Sequence, residues 1–336
     1  MDDSRPKGIR ITEREHELPY SKGQTASSLM ITGLPPPRAY AVANQVERDL
    51  LDSGRDSVSE QELWDLTLAV LRREAGDKYA EAFTKWQAVA KLELPLIILI
   101  GGATGVGKST VATQLAGRLG ITRVISTDAV REVLRSALTA DMFPTLYASS
   151  FEADKAVRQP IPHSGDRLII GFREQAAAVA VGARALIDRA LQEGTDMIME
   201  GAHLVPGFLE GVDGSRGVIV PLLVTIPDEE LHRSHFYWRT REANRRPGDR
   251  YLNNFKKIRK LQKYMESSAA MRGVPMIEHV DVDQTLSEIV DHVISRAAEA
   301  LDREENVAQD SELLERAAQA VGKEVKEGST ERETVS

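Results

Sequence analysis

The sequence contains no cysteine among its 336 residues. Disulfide bonds, thiol nucleophiles and thiolate metal sites are therefore excluded together, and any chemistry must use other side chains. No apolar run approaches the roughly 18 residues that a membrane-spanning helix needs. The first residues, MDDSRPKGIR, carry mixed charge and lack the apolar segment of a signal peptide. We therefore expect a cytoplasmic protein without a membrane partner.

Charge of one sign is concentrated in two segments of the chain. The formal net charge is -8, and residues 301–336 hold ten Asp and Glu against five Lys and Arg. Residues 239–263, in contrast, hold ten Lys and Arg against only two acidic residues. Because local charge matters more for ligand binding than the sum, the basic segment is a candidate anion-binding site.

The pattern of apolar residues changes near Pro95. Residues 8–92 show helical apolar spacing interrupted by turn signals, which predicts a small N-terminal helical module. From Pro95, short apolar runs alternate with amphipathic stretches, as in repeated βα units with a parallel sheet. We therefore predict an α/β domain at residues 93–300. The composition of residues 301–336 predicts an acidic, disordered tail.

The predicted parallel sheet has five strands, flanked by helices. A long helix ending at Gly194 separates the second strand from the third, and glycine suits the left-handed conformation at a helix end. The strands are predicted at residues 96–100, 123–126, 196–200, 217–225 and 274–280.

A glycine-rich turn follows the first predicted strand directly. It matches the GxxxxGK[ST] pattern of phosphate-binding loops, and a helix is predicted from about Lys108 to Leu119. The alternative is a glycine-rich turn that precedes a helix by chance and binds no phosphate. The strand before the turn and the helix after it argue against this alternative. In such loops backbone N–H groups surround the β-phosphate, the lysine bridges the β- and γ-phosphates, and the serine hydroxyl binds Mg²⁺. The sequence thus predicts an ATP and Mg²⁺ site formed by Gly102, Ala103, Thr104, Gly105, Val106, Gly107, Lys108, Ser109 and Thr110.

Acidic and basic side chains follow the second strand. Asp128 stands at the start of the next predicted helix, at the sheet edge that also carries the phosphate loop. There it can accept a proton from an attacking hydroxyl or hold Mg²⁺ through water. Arg131 and Arg135, four residues apart on one helix face, are predicted to bind the charge of the acceptor. The alternative is that Asp128 caps the helix and that the arginines face solvent.

Another carboxylate ends the third strand. Glu200 lies where P-loop proteins place an acid near the metal ion, although an exposed strand-end acid is the alternative. We predict catalytic roles for Lys108, Asp128 and Glu200, and metal contacts from Ser109, Asp128 and Glu200. Whether Asp128 or Glu200 is the base stays open. His203 is a candidate contact of substrate or nucleotide, but in a loop with Pro206 and Gly207 it is interpreted as a structural residue.

The basic segment surrounds a Pro-Gly turn at residues 247–248. Phosphotransferases of this kind need mobile cations that close over the γ-phosphate, because its charge must be neutralised and water excluded. We therefore predict a lid at about residues 236–265. An RNA-binding helix, favoured by interleaved aromatic residues, and a solvated face are the alternatives. Of the lid arginines, Arg239 and Arg241 are predicted to bind the acceptor, and Arg245 and Arg246 to take part in transfer.

Several segments resemble the 2-phosphoglycerate kinase family. They extend from about Pro19 to His292, and they read PYSKGQTASSLMITGL, LIILIGGATGVGKST, ITRVISTDAVREVLRSAL, FPTLYASSFEA, MIMEGAHLVPG and HFYWRTREANRRPGDRYLNNFKKIRKLQ. The resemblance implies an N-terminal ATP-cone-like segment, with Lys22 and Arg38 as candidate contacts, before a P-loop kinase domain. It also implies transfer of the ATP γ-phosphoryl group to a phosphorylated hydroxy acid, with 2-phosphoglycerate giving 2,3-bisphosphoglycerate.

The residues and the resemblance agree on an anionic small-molecule acceptor. Ser149 and Ser150 are predicted to border its pocket. Inositol phosphates and other metabolites stay open as acceptors, and so does assembly into a homo-oligomer. A nucleotide-regulated RNA-binding ATPase is the alternative of another class, but the acidic remainder of the chain disfavours nucleic acid as a partner. Cations available to the acceptor besides the lid are Arg131, Arg135, Lys155, Arg158 and Arg173.

Overall fold

Separate hydrophobic cores lie in the two parts of the chain. The computed structural model describes residues 9–13, 16–90, 94–158, 160–161, 165–209, 211–212, 214–242, 248–301 and 303. One core is formed within residues 9–83, and the others pack against the two faces of a sheet that begins after residue 95. None of the helices among these residues has the length and apolar character required to cross a membrane.

The N-terminal part combines helices with a small sheet. Its middle strand pairs antiparallel with one neighbour and parallel with the other. The helices agree with the sequence prediction. The prediction of a purely helical module, however, missed the three strands of this part. Its strands are only three or four residues long and mostly polar, so they lack the apolar alternation that reveals a strand. The elements are β1 (Arg10–Glu13), β2 (His16–Pro19), α1 (Lys22–Met30), α2 (Pro36–Asp52), β3 (Ser57–Ser59), α3 (Glu60–Ala75) and α4 (Asp77–Ala90).

The second part is built on a five-stranded parallel sheet flanked by helices. The strand order is β5-β6-β4-β7-β8, and all four neighbouring pairs are parallel, which confirms the predicted fold class. The three central strands are covered on both faces and read as continuous apolar runs, which made them recognisable. The elements are β4 (Leu96–Gly101), α5 (Lys108–Leu119), β5 (Val124–Ser126), α6 (Thr127–Ala137), α7 (Arg167–Gln192), β6 (Met197–Gly201), β7 (Val218–Thr225), α8 (Glu229–Glu242), α9 (Gly248–Asn253), α10 (Phe255–Arg272), β8 (Met276–Glu278) and α11 (residues 282–301).

The register of the sheet brings three functional segments to one edge. Glu200 in β6 pairs with Ile100 in β4 on one side and with Ser126 in β5 on the other. The phosphate loop therefore leaves the sheet beside Glu200, and the segment that contains Asp128 leaves it on the opposite side. In an open parallel sheet this crevice at the carboxyl ends of the strands is where ligands bind.

Helix α7 extends over 26 residues. Asp166 caps it by accepting hydrogen bonds from the backbone N–H groups of residues 168 and 169, and Gly194 follows its end with φ of 61°, as predicted. The helix approaches a short 3₁₀ helix, Ser150–Lys155, at Gly171. A Cβ atom there would lie 2.4 Å from the carbonyl oxygen of Ala153, so only glycine allows this contact.

The two parts touch across a small contact. Ile31 joins the core of the second part, and a Cβ atom on Gly33 would lie 3.0 Å from the Ser287 hydroxyl oxygen. The predicted boundary at residues 92–93 lies outside the described residues. The division into domains therefore stays a prediction. Residues 304–336 of the predicted tail also lie outside the described part of the chain.

Candidate active site

The phosphate loop has a backbone that favours glycine at three positions. Gly102, Gly105 and Gly107 have φ values of 149°, 90° and 86°, which side chains rarely adopt. The loop also packs tightly, because a Cβ atom on Gly105 would lie 2.3 Å from the ring of Phe236. The glycines therefore shape the loop and allow helix α8 to support it from behind.

Lys108 is held within the loop. Its ammonium group donates a hydrogen bond to the carbonyl oxygen of Ala103 at 2.7 Å, and only 8% of the residue is exposed. Lys108 lines a cavity of about 270 Å³ that also contains loop residues Thr104, Gly105, Gly107 and Ser109. This cavity lies at the N-terminus of helix α5, which favours the binding of a phosphate group.

A hydroxyl and a carboxylate stand beside this phosphate cavity. The hydroxyl of Ser109 donates a hydrogen bond to Oε1 of Glu200 at 2.9 Å, and both residues line the cavity together with Asp128. Hydroxyl and carboxylate oxygens are suitable ligands for Mg²⁺ when phosphate and water complete the shell. The three residues predicted to bind metal thus meet at one place, and the donor set fits the ion.

Asp128 is free to act in the site because another residue caps its helix. The hydroxyl of Ser126 accepts a hydrogen bond from the backbone N–H of Ala129, which makes Ser126 the N-cap of α6. The alternative in which Asp128 serves as the cap is therefore wrong. The Asp128 side chain is 74% exposed and lines both the phosphate cavity and an adjoining larger one.

The larger cavity has a volume of about 440 Å³, and we call it the acceptor cavity because the predicted acceptor-binding residues Arg131, Ser149 and Ser150 line it. Two arginines line it from different elements, Arg131 from α6 and Arg250 from α9. Ser149 and Ser150 also line this cavity, and their contact with the acceptor stays a prediction. The acceptor cavity and the phosphate cavity share Thr104, Asp128, Ser150 and Tyr251.

Each of the two arginines is held by specific contacts. Arg131 donates a hydrogen bond from Nη1 to the carbonyl oxygen of Ala148 at 3.0 Å, and its Nη2 lies 3.7 Å from a carboxylate oxygen of Asp128. Arg250 donates to the Ser149 hydroxyl at 2.8 Å and from Nε to Glu152 at 3.0 Å. The cations beside Glu152 also hold the pKa of that carboxyl below its usual range, Lys155 being the largest cause and Arg250 the next.

Sequence reasoning missed Arg250. Its only signal was membership of the basic segment, and nothing in the spacing distinguished it from the other nine basic residues there. The structure singles it out because α9 turns its side chain toward the 3₁₀ helix, where its guanidinium lies 5.7 Å from the centre of the Phe151 ring.

Other predicted acceptor cations lie away from the two cavities. Arg135 pairs with Glu132 at 2.6 Å and lies over the Tyr147 ring, and it lines neither cavity. Lys155 pairs with Glu152, Arg158 pairs with Asp141, and Arg173 is exposed on α7. Their roles in acceptor binding stay predictions that this geometry does not favour.

The lid arginines are described only in part. Arg239 and Arg241 belong to α8, but their side chains lie outside the described part of the chain, as do Arg245 and Arg246 entirely. Their predicted roles therefore stay predictions. Helices α8 to α10 do occupy the predicted lid segment.

Buried histidines support the site from behind. His232 is fully buried, and its Nε2 lies 2.9 Å from the carbonyl oxygen of Thr104 in the phosphate loop. His203, which the sequence indicated as structural, lies between Thr127 and Gln175. Burial lowers the pKa of both histidines to about 4. Both rings are therefore neutral at pH 7, and sequence spacing gave no signal for their partners.

The loop, the carboxylates and the parallel sheet define a P-loop phosphotransferase. Residues 97–260 match the sequence family described as an AAA domain. The 2-phosphoglycerate kinase of Methanothermobacter thermautotrophicus is 38% identical over 281 residues, covering 83% of this chain and 92% of the relative. That of Pyrococcus furiosus is 38% identical over 295 residues, covering 87% and 96%. The chain belongs to the 2-phosphoglycerate kinase family, as its sequence segments predicted.

Solved structures show only a weak likeness. A shikimate kinase from Acinetobacter baumannii in complex with shikimate matches with a TM-score of 0.37 at 21% identity, covering 62% of this chain and 97% of that chain.

Membership of a P-loop kinase family means that the protein is an ATP-using kinase with a small-molecule acceptor.

Proposed function

We propose that the protein transfers the γ-phosphoryl group of ATP to 2-phosphoglycerate, giving 2,3-bisphosphoglycerate, with Mg²⁺ as the metal ion. The observation that supports this most directly is the meeting of two cavities at Asp128. One contains the phosphate loop with Lys108, and the other contains Arg131 and Arg250. A nucleotide and an acidic acceptor can thus approach each other next to a carboxylate.

The acceptor cavity suits a small molecule with more than one negative charge. At neutral pH, 2-phosphoglycerate carries a phosphate, a carboxylate and a primary hydroxyl. Guanidinium groups bind phosphate and carboxylate through paired hydrogen bonds, and the cavity offers two of them on different elements. The serine hydroxyls at residues 149 and 150 supply further polar contacts.

The reaction requires one proton transfer and one exchange of phosphorus–oxygen bonds. The hydroxyl oxygen of the acceptor forms a bond to the γ-phosphorus, and the bond from that phosphorus to the oxygen bridging to ADP breaks. Asp128 accepts the hydroxyl proton, because it lines both cavities and its carboxylate is accessible. Lys108 stabilises the charge on the transferring group.

Ser109 and Glu200 are the residues that would hold Mg²⁺. When bound, the ion neutralises charge on the phosphate oxygens and aligns them for transfer. Glu200 then acts as a metal-binding carboxylate rather than as the base, since its Oε1 already accepts the Ser109 hydroxyl bond and only 8% of the residue is exposed. This division assigns the two carboxylates different roles.

The lid contacts give less support to an RNA-binding ATPase. Basic side chains of α9 and α10 pair with acids of the same chain: Arg250 with Glu152, Lys257 with Asp154, and Lys260 with Asp166. Each of these three cations is paired within the protein, which leaves less free positive charge for a nucleic acid backbone.

The direct test is an acceptor panel with the purified full chain and Mg²⁺-ATP. We expect 2-phosphoglycerate to stimulate ADP release, and ³¹P NMR to show a product with two phosphate esters. The panel includes 3-phosphoglycerate, glycerate, inositol phosphates and RNA, so that each rival predicts a different stimulating compound. Equal ADP release with and without 2-phosphoglycerate, in protein that binds ATP, contradicts the proposal.

A further inference from the structure

A chain of buried hydrogen bonds crosses the site behind the acceptor cavity. The Thr127 hydroxyl lies 2.9 Å from Nδ1 of His203, and Nε2 of His203 lies 3.2 Å from Oε1 of Gln175. The amide nitrogen of Gln175 donates to the carbonyl oxygens of Thr145 and Ala148. The side chains of Thr127, His203 and Gln175 are all buried.

The donor and the acceptor of each hydrogen bond in this network can be assigned. Carbonyl oxygens only accept, so the amide nitrogen of Gln175 must face them and Oε1 must face His203. Because Oε1 also only accepts, the proton of the neutral His203 ring is on Nε2. Nδ1 is then unprotonated and accepts the hydrogen bond from Thr127. The network is fully satisfied with no ionised member, which favours a single rigid arrangement.

The network connects three segments that contribute to the site. Thr127 precedes Asp128, His203 follows Glu200 by three residues, and the carbonyl of Ala148 precedes the two serines of the acceptor cavity. Nη1 of Arg131 donates to the same Ala148 carbonyl at 3.0 Å. The acceptor wall is thereby tied to both carboxylates through buried side chains that line neither cavity.

We propose that Gln175 and His203 are positioning residues, which hold residues 144–150 at a fixed distance from Asp128 and Glu200. This inference rests on the proposed function, since it assigns the network to the acceptor of the transfer. Without Gln175, two carbonyl groups lose a buried donor, and residues 144–150 shift toward other partners. The wall of the acceptor cavity then no longer matches the acceptor, so the acceptor binds less tightly, whereas the phosphate loop keeps its own contacts.

The test compares Gln175→Met with Gln262→Met in the full chain. Gln262 is equally buried and its amide donates to the carbonyl of Ile226 at 2.9 Å, but it lies outside the acceptor cavity. We expect Gln175→Met to raise the KM for the acceptor about tenfold while the Kd for ATP changes less than about twofold. Gln262→Met should leave the acceptor KM unchanged. A folded Gln175→Met variant with the wild-type acceptor KM overturns the proposal.

A second measurement uses the unaltered protein and does not depend on a variant that folds. ¹⁵N NMR of the imidazole rings should show His203 as the neutral form, with the proton on Nε2 and with an unprotonated Nδ1 that accepts a hydrogen bond. A His203 ring with its proton on Nδ1 overturns the network. If the wild-type protein does not use 2-phosphoglycerate, the proposed function fails alone, because this measurement still decides the arrangement of the network.

Discussion

The role of each side chain in this site depends on the neighbours with which it forms hydrogen bonds. Ser126 caps α6 and leaves Asp128 available, while Glu200 is engaged by Ser109. Two carboxylates of similar intrinsic acidity can therefore serve different roles because their surroundings differ. The roles separate in kinetics, since a base acts during transfer and a metal contact also acts in nucleotide binding.

Replacing the base should affect transfer more than binding. In Asp128→Asn the amide cannot accept the hydroxyl proton, so we expect kcat to fall by at least about a hundredfold, while the Kd for ATP stays within about twofold. Steady-state kinetics and calorimetric titration with Mg²⁺-ATP measure the two quantities. An unaltered kcat would remove Asp128 from the role of base.

Arg250 should affect acceptor binding through its planar geometry. Lysine keeps the charge but loses the paired donors, so Arg250→Lys should raise the acceptor KM about tenfold or more without changing the Kd for ATP. Arg189→Lys is the matched control, because Arg189 is exposed on α7 and pairs with Glu193. Equal KM values for the two variants would exclude Arg250 from the acceptor site.

At the scale of elements, the phosphate loop is shaped by its own sequence and by α8. Phe236 packs against the loop at Gly105 and also stacks on Tyr251, with ring centres 5.3 Å apart. Tyr251 lines both cavities. These stacked rings therefore connect the phosphate loop to helices α8 and α9 of the lid.

This contact makes Gly105 sensitive to the smallest possible side chain. In Gly105→Ala, the added Cβ would lie 2.3 Å from Phe236 at a φ of 90°, so we expect the Kd for ATP to rise more than about tenfold and Tm to fall. Gly117→Ala is the control, because no atom lies within 4 Å of its added Cβ in helix α5. The control should keep ATP binding and gain up to about 1 kcal/mol of stability. Normal nucleotide binding in Gly105→Ala would show that the loop does not need this contact.

Contiguity along the chain decides how much of the site could be predicted. The phosphate loop, Asp128 and Glu200 lie at or just after the carboxyl ends of strands, so the pattern of strands placed them at one edge of the sheet. Arg250 and Gln175 are brought to the site by the packing of helices, which has no signature in local spacing. The sequence revealed the five strands of the parallel sheet because they are mostly apolar, and it missed the short polar strands β1 to β3.

For the whole molecule, the buried neutral histidines couple stability to pH. His203 and His232 have a pKa of about 4, whereas an unfolded histidine has a pKa near 6.5. The unfolded state therefore binds more protons between these values. The stabilisation is fully present above about pH 6.5 and is lost as pH falls toward 4, by up to about 3 kcal/mol for each histidine.

Denaturant unfolding of the wild type and of His232→Gln across this range measures the effect. We expect the variant to be less stable at pH 7, because it loses packing against Phe236, but to show a shallower decline toward pH 4. Carboxylates that titrate in the same range contribute equally to both proteins, so the comparison isolates the histidine. Parallel pH curves would contradict the assignment of a neutral buried ring.

The N-terminal part should not take up a second nucleotide. Lys22, a candidate contact, pairs with Glu47 at 3.0 Å, and Arg38 lies 5.6 Å from the centre of the Tyr79 ring. Since neither cation lines the cavity of about 240 Å³ in this part of the described chain, we expect calorimetry to give one ATP per chain. Hydrogen exchange should then slow at the phosphate loop but not in helices α1 to α4. A stoichiometry of two would restore the regulatory interpretation of this module.

The contact at Gly171 has a consequence for how the range of acceptors can change. A methyl group at this position on α7 must displace the backbone of the 3₁₀ helix at Ala153, and that helix carries the acid that holds Arg250. The shape of the acceptor cavity can thus be altered from a residue that no ligand reaches. Mutant libraries designed to broaden the range of acceptors should therefore include the face of α7 that packs against the 3₁₀ helix, as well as the residues that line the cavity.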